Sequence, residues 1–174
     1  MTKVLLVRHG EPRYDEVEKK GFFGLGHDFG RLTETGQQQA IERASDERFK
    51  DAQLILSSPY TRALQTAAII SRITNISLAV ETDLHEWLLD ETQTYQVDDW
   101  GAHWHEYSTS KGVKTPESKY PWESFQSMKN RFEAVLNRYK QYDKIIVVCH
   151  EFVLTTQTFF GEKVEFCGVR EITI

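Results

Sequence analysis

Short apolar runs alternate with longer stretches of helical periodicity along the chain. The runs at 4–7, 53–56 and 144–149 contain several consecutive aliphatic residues. Continuous runs of this kind are typical of strands that are buried on both faces of a sheet. We therefore predict three buried strands at these positions, and a closing strand at 168–174.

Apolar residues recur at helical spacing between these runs. Thr33 is a suitable N-cap for a helix that extends to about Phe49. Ser58 as N-cap, followed by Pro59 at the first helical position, predicts a second helix. We expect that helix to bury one face, composed of Ala63, Leu64, Ala67, Ile70 and Ile73.

A third helix is predicted to begin near Pro121 and a fourth to occupy 155–160. The third places a set of apolar residues on one face, namely Phe125, Met128, Phe132, Val135, Leu136 and Tyr139. Strands that alternate with helices predict βαβ units and an α/β fold with a mostly parallel sheet.

The chain reads as one domain over 1–174, since it shows no internal repeat and no linker. The stretch 87–120 differs from the rest, because it is polar and aromatic with weak periodicity. We predict that 87–120 is a lid or insertion. Its aromatic residues either line a substrate pocket or pack as a small subdomain, namely Trp87, Tyr95, Trp100, Trp104 and Tyr107.

Composition and charge exclude several classes of partner. The net charge of −5 argues against broad binding of nucleic acid or of anionic membranes, which both reward surplus Lys and Arg. No apolar run approaches the roughly 20 residues that span a bilayer. The chain has two cysteines, Cys149 and Cys167, so we do not expect a disulfide scaffold. We expect a cytoplasmic location.

Basic side chains lie at or just after the ends of the predicted strands. Arg8 and His9 follow the first strand, His150 follows the third, and Arg62 lies one turn into the helix that starts near Pro59. In parallel sheets, ligands bind beyond the carboxyl ends of the strands. Guanidinium groups, imidazoles and a helix N-terminus together form an anion site suited to phosphate.

Six short sequence motifs, here called blocks, make this interpretation more specific. In chain order they are LLVRHGE at 5–11, LTETGQQQA at 32–40, SSPYTRALQTA at 57–67, LHE at 84–86, ES at 123–124 and VVCH at 147–150. The sequence resembles the histidine phosphatases of the phosphoglycerate mutase-like superfamily. The resemblance implies a three-layer α/β sandwich and a short phosphatase that works without cofactor or metal.

The resemblance also implies a role for each matched residue. His9 attacks phosphorus, while Arg8, Arg62 and His150 hold the phosphoryl oxygens. Glu86 protonates the leaving oxygen, with Asp83, Asp90 and Glu91 as alternative acids nearby. The expected partner is a phosphorylated small molecule or a phosphoprotein, and neither nucleic acid nor membrane. A phosphoglycerate-type mutase and a non-catalytic module that binds phosphorylated ligands are the alternative functions.

Four positions depart from the family pattern. Pro12 stands where the family usually has Thr or Ser, and Asp15 stands where many members have Asn. Trp122 and Glu151 each stand where the family usually has Gly. We expect Asp15 and Glu151 to add negative charge near the phosphate. Three further features are interpreted as non-catalytic: Cys149 as a buried thiol, the 103–106 stretch HWHE as solvated lid rather than metal ligands, and Gly24-Leu25-Gly26 as a loop rather than a dinucleotide site.

Overall fold

The structure, a computed structural model, describes residues 1–94 and 99–174. Its sheet comprises β1 (Lys3–Arg8), β2 (Leu54–Ser57), β3 (Leu78–Val80), β4 (Lys144–Cys149) and β5 (Val169–Thr173). The strand order is β3-β2-β4-β1-β5. β1 to β4 run parallel, and β5 pairs antiparallel with β1. The predicted α/β class with a mostly parallel sheet is therefore confirmed.

Helices cover both faces of this sheet. They are α1 (Asp15–Lys19), α2 (Glu34–Arg43), α3 (Thr61–Thr74), α4 (Trp100–Thr109), α5 (Phe125–Asn137) and α6 (Glu151–Thr155). Short 3-10 turns occupy Gly24–Phe29, Glu47–Phe49 and Thr82–Leu84. No described helix is long and apolar enough to cross a membrane.

Alternate strand residues face opposite layers, as the pleat of a strand requires. On one face, Leu5, Ile55 and Ile146 pack with Ala67 and Ile70 of α3. On the other face, residues of β1 and β4 pack against α5 and α6. The strand residues are Val4, Leu6, Ile145 and Val147, and the helix residues are Phe132, Val135, Leu136 and Val153. Both faces are thus buried, which explains the continuous apolar runs and makes the fold a three-layer sandwich.

The start of α3 differs from the prediction. The helix begins at Thr61 with Tyr60 as N-cap residue, so Pro59 is outside it. The Ser58 hydroxyl instead accepts a hydrogen bond from the Tyr60 N–H at 3.2 Å, which forms a turn before the helix. Ile73, expected in the core, is 46% exposed, so the buried face of α3 ends at Ile70.

Two other helix boundaries were also wrong. Thr33 caps α2 as predicted, accepting from the Gly36 N–H at 2.9 Å, but α2 ends at Arg43 and not near Phe49. Asp46 accepts from the Arg48 N–H and starts a separate turn, an alternative that Asp offers to a continued helix. The helix expected at 155–160 lies earlier, as α6 begins directly after β4.

The 87–120 segment contributes core as well as surface. Within the described residues it contains α4, whose Tyr107 is buried with Trp87, Trp122 and Met128 in a third apolar cluster. His103 is also buried and stacks on Tyr120, with ring centroids 4.3 Å apart. This region is therefore partly a packed unit, and its lid role stays a prediction.

Candidate active site

His9 follows β1 and is held in one tautomer by two hydrogen bonds. Its Nδ1 lies 2.7 Å from the Gly10 carbonyl oxygen, which only accepts, so Nδ1 carries the proton. The Arg62 Nε–H donates to His9 Nε2 at 3.3 Å, so Nε2 carries a lone pair. Burial, reinforced by the Arg62 charge, lowers the pKa of His9 to about 3. The ring is therefore a neutral imidazole whose unprotonated nitrogen, Nε2, accepts a hydrogen bond from Arg62.

The loop after His9 is tied to α2 and α3. The Gly10 N–H donates to Thr66 Oγ1 at 3.0 Å, and the Glu11 N–H donates to Gln39 Oε1 at 2.8 Å. A Cβ at Gly36 would lie 2.2 Å from the Glu11 carbonyl oxygen, so only glycine permits this approach of α2. The second and third sequence blocks thus hold the backbone that orients His9.

His150 lies beside His9 because their strands are neighbours. Arg8 and Cys149 are register partners of β1 and β4, and the residues that follow them place their rings 5.1 Å apart. His150 Nε2 is 2.8 Å from Ser58 Oγ, whereas its buried Nδ1 has no hydrogen-bond partner within 1–94 and 99–174. Burial, followed by the Arg62 charge, lowers the pKa of His150 well below the usual value.

Arg62, in the first turn of α3, contacts both His9 and a carboxylate. Its Nη1 is 2.8 Å from Asp28 Oδ1, and the two side chains are only 6% and 23% exposed. The Tyr60 ring lies 5.2 Å from the guanidinium carbon. Burial raises the pKa of Asp28, and Arg62 opposes this shift. Sequence reasoning missed Asp28, which lies in the 3-10 turn Gly24–Phe29 and reaches Arg62 only through the tertiary fold.

Arg8 points toward the C-terminal part of the chain. Its Nη1 donates to the Val164 carbonyl oxygen at 2.5 Å, and its Nη2 lies 3.4 Å from Glu151 Oε2. The guanidinium carbon is 4.3 Å above the Phe166 ring, whose centroid is 5.9 Å from that of His9. The structure thus brings His9, Arg62 and His150 close together. Arg8 lies beside this group, and the Phe166 ring is near both Arg8 and His9.

Glu86 is joined to the same region through α6, the helix that follows His150. Its carboxylate accepts from the N–H groups of Trp87 at 2.8 Å, Val153 at 3.2 Å and Phe152 at 3.3 Å. Burial raises the pKa of Glu86, while these hydrogen bonds and the Arg62 charge oppose the shift. A carboxyl group with a raised pKa holds its proton closer to neutral pH, as a general acid requires.

Two of the three alternative acids, Asp90 and Glu91, have other partners. The Asp90 carboxylate accepts from Thr92 and Thr94, and Glu91 forms an exposed ion pair with Lys114 at 2.8 Å. Of the acidic residues considered for this role, Glu86 lines the cavity next to the site.

That cavity has a volume of about 470 Å³. Residues 22–24, 27–28 and 86–89 line it together with Tyr60, Trp100 and Phe152. Trp87 and Tyr107 pack in the third cluster, as expected of a small subdomain, while Trp87 and Trp100 line this cavity, and its role as a substrate pocket stays a prediction. Tyr95 lies outside the described residues.

The comparison with known protein families agrees with this geometry. A family model described as "Histidine phosphatase superfamily (branch 1)" matches residues 4–165. The chain belongs to the histidine phosphatase superfamily. The match spans both histidines, both arginines and Glu86, and confirms the resemblance inferred from the six sequence blocks.

Relatives of this histidine phosphatase superfamily member carry both mutase and phosphatase names. A 2,3-bisphosphoglycerate-dependent phosphoglycerate mutase of Thermoplasma acidophilum is 27% identical over 138 residues, which cover 79% of this chain and 66% of that protein. A mycobacterial glucosyl-3-phosphoglycerate phosphatase superposes with a TM-score of 0.72, 18% identity and coverage of 99% and 90% of the two chains. The alpha-ribazole phosphatase of Shigella flexneri superposes with a TM-score of 0.71 and 21% identity, with coverage of 99% of this chain and 91% of that chain. At these identities the structural matches establish the fold.

The departures from the superfamily pattern have different consequences. Asp15 is exposed and hydrogen-bonded to Arg13 at 2.8 and 2.6 Å, so its charge is paired at the surface, and its expected effect on phosphate stays a prediction. Glu151 does lie at the site, against Arg8.

Cys149 packs in an apolar cluster, where burial raises the pKa of its thiol.

The HWHE stretch shows no arrangement for a metal. His103 is buried and directs Nδ1 to the Leu89 carbonyl oxygen at 3.1 Å, while Glu106 accepts from the Lys119 N–H. Within the described ranges, no group of three or more His, Cys, Asp or Glu side chains has a geometry that could hold a metal ion.

Proposed function

We propose that this protein is a phosphatase that hydrolyses phosphate monoesters through a phosphohistidine on His9. The observation that carries the proposal is the tautomer of His9, whose proton is on Nδ1 toward the Gly10 carbonyl and whose lone pair is on Nε2 beside Arg62. A neutral, oriented imidazole nitrogen next to a guanidinium is suited to attack a phosphoryl group.

In the first step, the His9 Nε2 lone pair forms a bond to phosphorus and the ester P–O bond breaks. The leaving oxygen takes the proton of the Glu86 carboxyl group, which becomes a carboxylate. The Gly10 carbonyl, as acceptor from Nδ1–H, stabilises the charge that develops on the ring. The groups nearest to His9 that can contact the phosphoryl oxygens are Arg62 and Arg8, through donors that their present partners do not use, and His150 Nδ1, which has no hydrogen-bond partner among the described residues.

In the second step, water attacks the phosphorus of the phosphohistidine. The Glu86 carboxylate accepts a proton from that water, the P–N bond breaks and its electron pair returns to Nε2. Inorganic phosphate leaves, and the protonated Glu86 is restored. The same carboxyl group thus acts as acid in one step and as base in the next.

The proposed partner is a phosphorylated small molecule or a phosphoprotein, and neither nucleic acid nor membrane. The net charge of −5 supports the exclusion of polyanions. The free thiols of Cys149 and Cys167 support a cytoplasmic location.

The first prediction is that hydrolysis requires His9 and does not require an added metal ion. Phosphate release from a panel of phosphate monoesters should persist in excess chelator, because two arginines and two histidines are available to offset the phosphoryl charge. His9→Ala should lose at least about 10³-fold in kcat. Loss of activity on chelation, restored by Mg²⁺, would contradict the metal-independent mechanism. Tight phosphate binding without turnover would favour the non-catalytic module.

A phosphomutase is the second candidate, and the name of the Thermoplasma acidophilum relative favours it. In a mutase, the phosphoryl group on His9 passes to a second hydroxyl and not to water. The products of 3-phosphoglycerate distinguish the two reactions. Free phosphate that carries oxygen from labelled water indicates hydrolysis, whereas 2-phosphoglycerate without phosphate release indicates a mutase.

A further inference from the structure

Aromatic side chains form half of the described lining of the cavity beside Glu86. They are Phe22, Phe23, Tyr60, Trp87, Trp100 and Phe152. The same cavity contains Glu86, the proposed acid, so it adjoins the position where the leaving oxygen would take its proton. These rings are therefore next to the space into which a group attached to that oxygen would extend.

The charged groups of this cavity are unfavourable for a second anion. Asp28 and Glu86 line it, and none of its described lining residues is a lysine or an arginine. Arg62 is nearby, but its guanidinium is held between His9 and Asp28. A leaving group that carries a carboxylate or a second phosphate would be desolvated among aromatic rings next to the Asp28 carboxylate, the neutral acid form of Glu86 and the His27 imidazole, with no lysine or arginine among the described lining residues to offset its charge.

The rings at the mouth of the cavity are unusually open to solvent. Phe23 is 76% exposed and Trp100 is 59% exposed, and both line the cavity. Exposed aromatic rings that converge on one concave site mark a surface which a ligand covers. Their side chains offer flat apolar contact next to the reaction centre, which suits a planar group.

We propose that the preferred substrates are phosphate monoesters whose leaving alcohol carries a planar apolar group, and that esters with a second anionic group are disfavoured. This proposal rests on the proposed phosphatase function and assigns Phe23 and Trp100 as specificity-determining residues. It also separates this chain from phosphoglycerate chemistry, since a glycerate carries a carboxylate.

The test uses three esters of primary alcohols that differ only at the distal end: 3-phenylpropyl, propyl and 3-carboxypropyl phosphate. Their leaving oxygens are chemically alike, so differences in kcat/KM report contacts with the distal group. We expect kcat/KM to fall in that order, with about a 10- to 100-fold advantage of the phenyl ester over the propyl ester. The carboxypropyl ester should be the poorest substrate.

Variants connect this preference to the cavity. Phe23→Ala and Trp100→Ala should each reduce the ratio of phenylpropyl to propyl kcat/KM by about 3- to 10-fold. Phe159→Ala is the matched control, because Phe159 is 63% exposed and is not one of the cavity-lining residues. It should leave the ratio unchanged. Because all three side chains are exposed, these variants are expected to fold.

The outcomes separate this proposal from the one on which it rests. Turnover of all three esters at equal kcat/KM, or preference for the carboxypropyl ester, overturns the substrate class and leaves the phosphatase in place. No turnover of any ester and no phosphohistidine overturns both. A dimer in solution that Phe23→Ala or Trp100→Ala dissociates would also overturn the substrate class, because a second copy of the chain would then cover the rings.

Discussion

At the residue scale, the reactivity of His9 is determined by where its proton lies. The Gly10 carbonyl retains the proton on Nδ1, and Arg62 faces the lone pair on Nε2. Since the pKa of His9 is lowered to about 3, the ring stays neutral throughout the range from pH 5 to 8. Protonation of the nucleophile therefore does not limit the rate there, and the pH profile reports other groups.

Glu86 should determine the alkaline side of that profile. Its burial raises its pKa, and the acid form is lost as pH rises through that raised value. Activity toward esters with poor leaving groups should therefore be highest at mildly acidic pH and fall as pH increases. Glu86→Gln should slow these esters about 10²–10⁴-fold more than activated aryl phosphates, which leave without a proton. Steady-state rates across pH with both ester types provide the measurement.

Equal losses of kcat/KM on both ester types would show that Glu86 is not the acid, because kcat/KM reports the first step alone and not the second step, in which Glu86 acts as base for both esters. The isosteric Gln keeps an acceptor oxygen for the backbone N–H groups but has no acidic proton, so the comparison isolates proton transfer. In that case Asp83→Asn and Asp90→Asn would be compared next.

Glu151 should weaken the affinity of the site for phosphate. Its carboxylate is 3.4 Å from the Arg8 guanidinium, and both side chains are less than 20% exposed. Glu151→Gln removes this competing negative charge and keeps an acceptor for the Val164 N–H. The competitive inhibition constant of inorganic phosphate should fall about tenfold. Glu165→Gln, at a 68% exposed side chain paired with Arg170, is the control. An unchanged constant in Glu151→Gln would count against a role of Arg8 in phosphate binding.

At the element scale, α5 holds the segment that carries Glu86. Arg131 of α5 donates to the carbonyl oxygens of Asp83 at 2.5 Å, His85 at 2.8 Å and Glu86 at 3.2 Å. The same guanidinium pairs with the buried Glu123, which in turn accepts from the Leu88 N–H at 3.2 Å. Arg131 is thus a positioning residue for the proposed acid.

Arg131→Lys should misplace Glu86 while the charge is kept, because an ammonium does not reproduce the planar fork of donors. We expect esters with poor leaving groups to slow about 10-fold more than activated aryl phosphates. Arg138→Lys is the control, since Arg138 lies at the exposed end of the same helix and pairs with Glu81. A loss of thermal stability without a change in the ratio of the two rates would indicate a purely structural role.

Four of the five described strands were predictable from sequence, whereas β3 and several helix boundaries were not. Strands buried on both faces give continuous apolar runs, so β1 and β4 were evident from sequence. β3 has three residues with no fully buried side chain, and periodicity could not reveal it. The Ser58-Pro59 signal failed because Ser58 forms a turn and contacts His150, a tertiary contact that a local pattern does not contain.

At the scale of the whole molecule, the strand order assembles the site. β1 and β4 are adjacent and parallel, with Arg8 opposite Cys149, so the two histidines emerge side by side. The order of the sequence blocks therefore predicted His9, His150 and Arg62 near one another. Asp28 and Phe166 come from connecting segments whose paths depend on the packing of the complete fold, and no sequence pattern pointed to them.

The central claim is tested most directly by isolation of the covalent intermediate. The protein is mixed with an activated aryl phosphate, quenched within milliseconds under alkaline denaturing conditions, and analysed by intact mass and peptide mapping. The account predicts one phosphoryl group on His9, which is labile to acid, forms and decays at rates compatible with turnover, and is absent in His9→Ala. Turnover at full rate with no such adduct, or with the phosphoryl group on another residue, would contradict it.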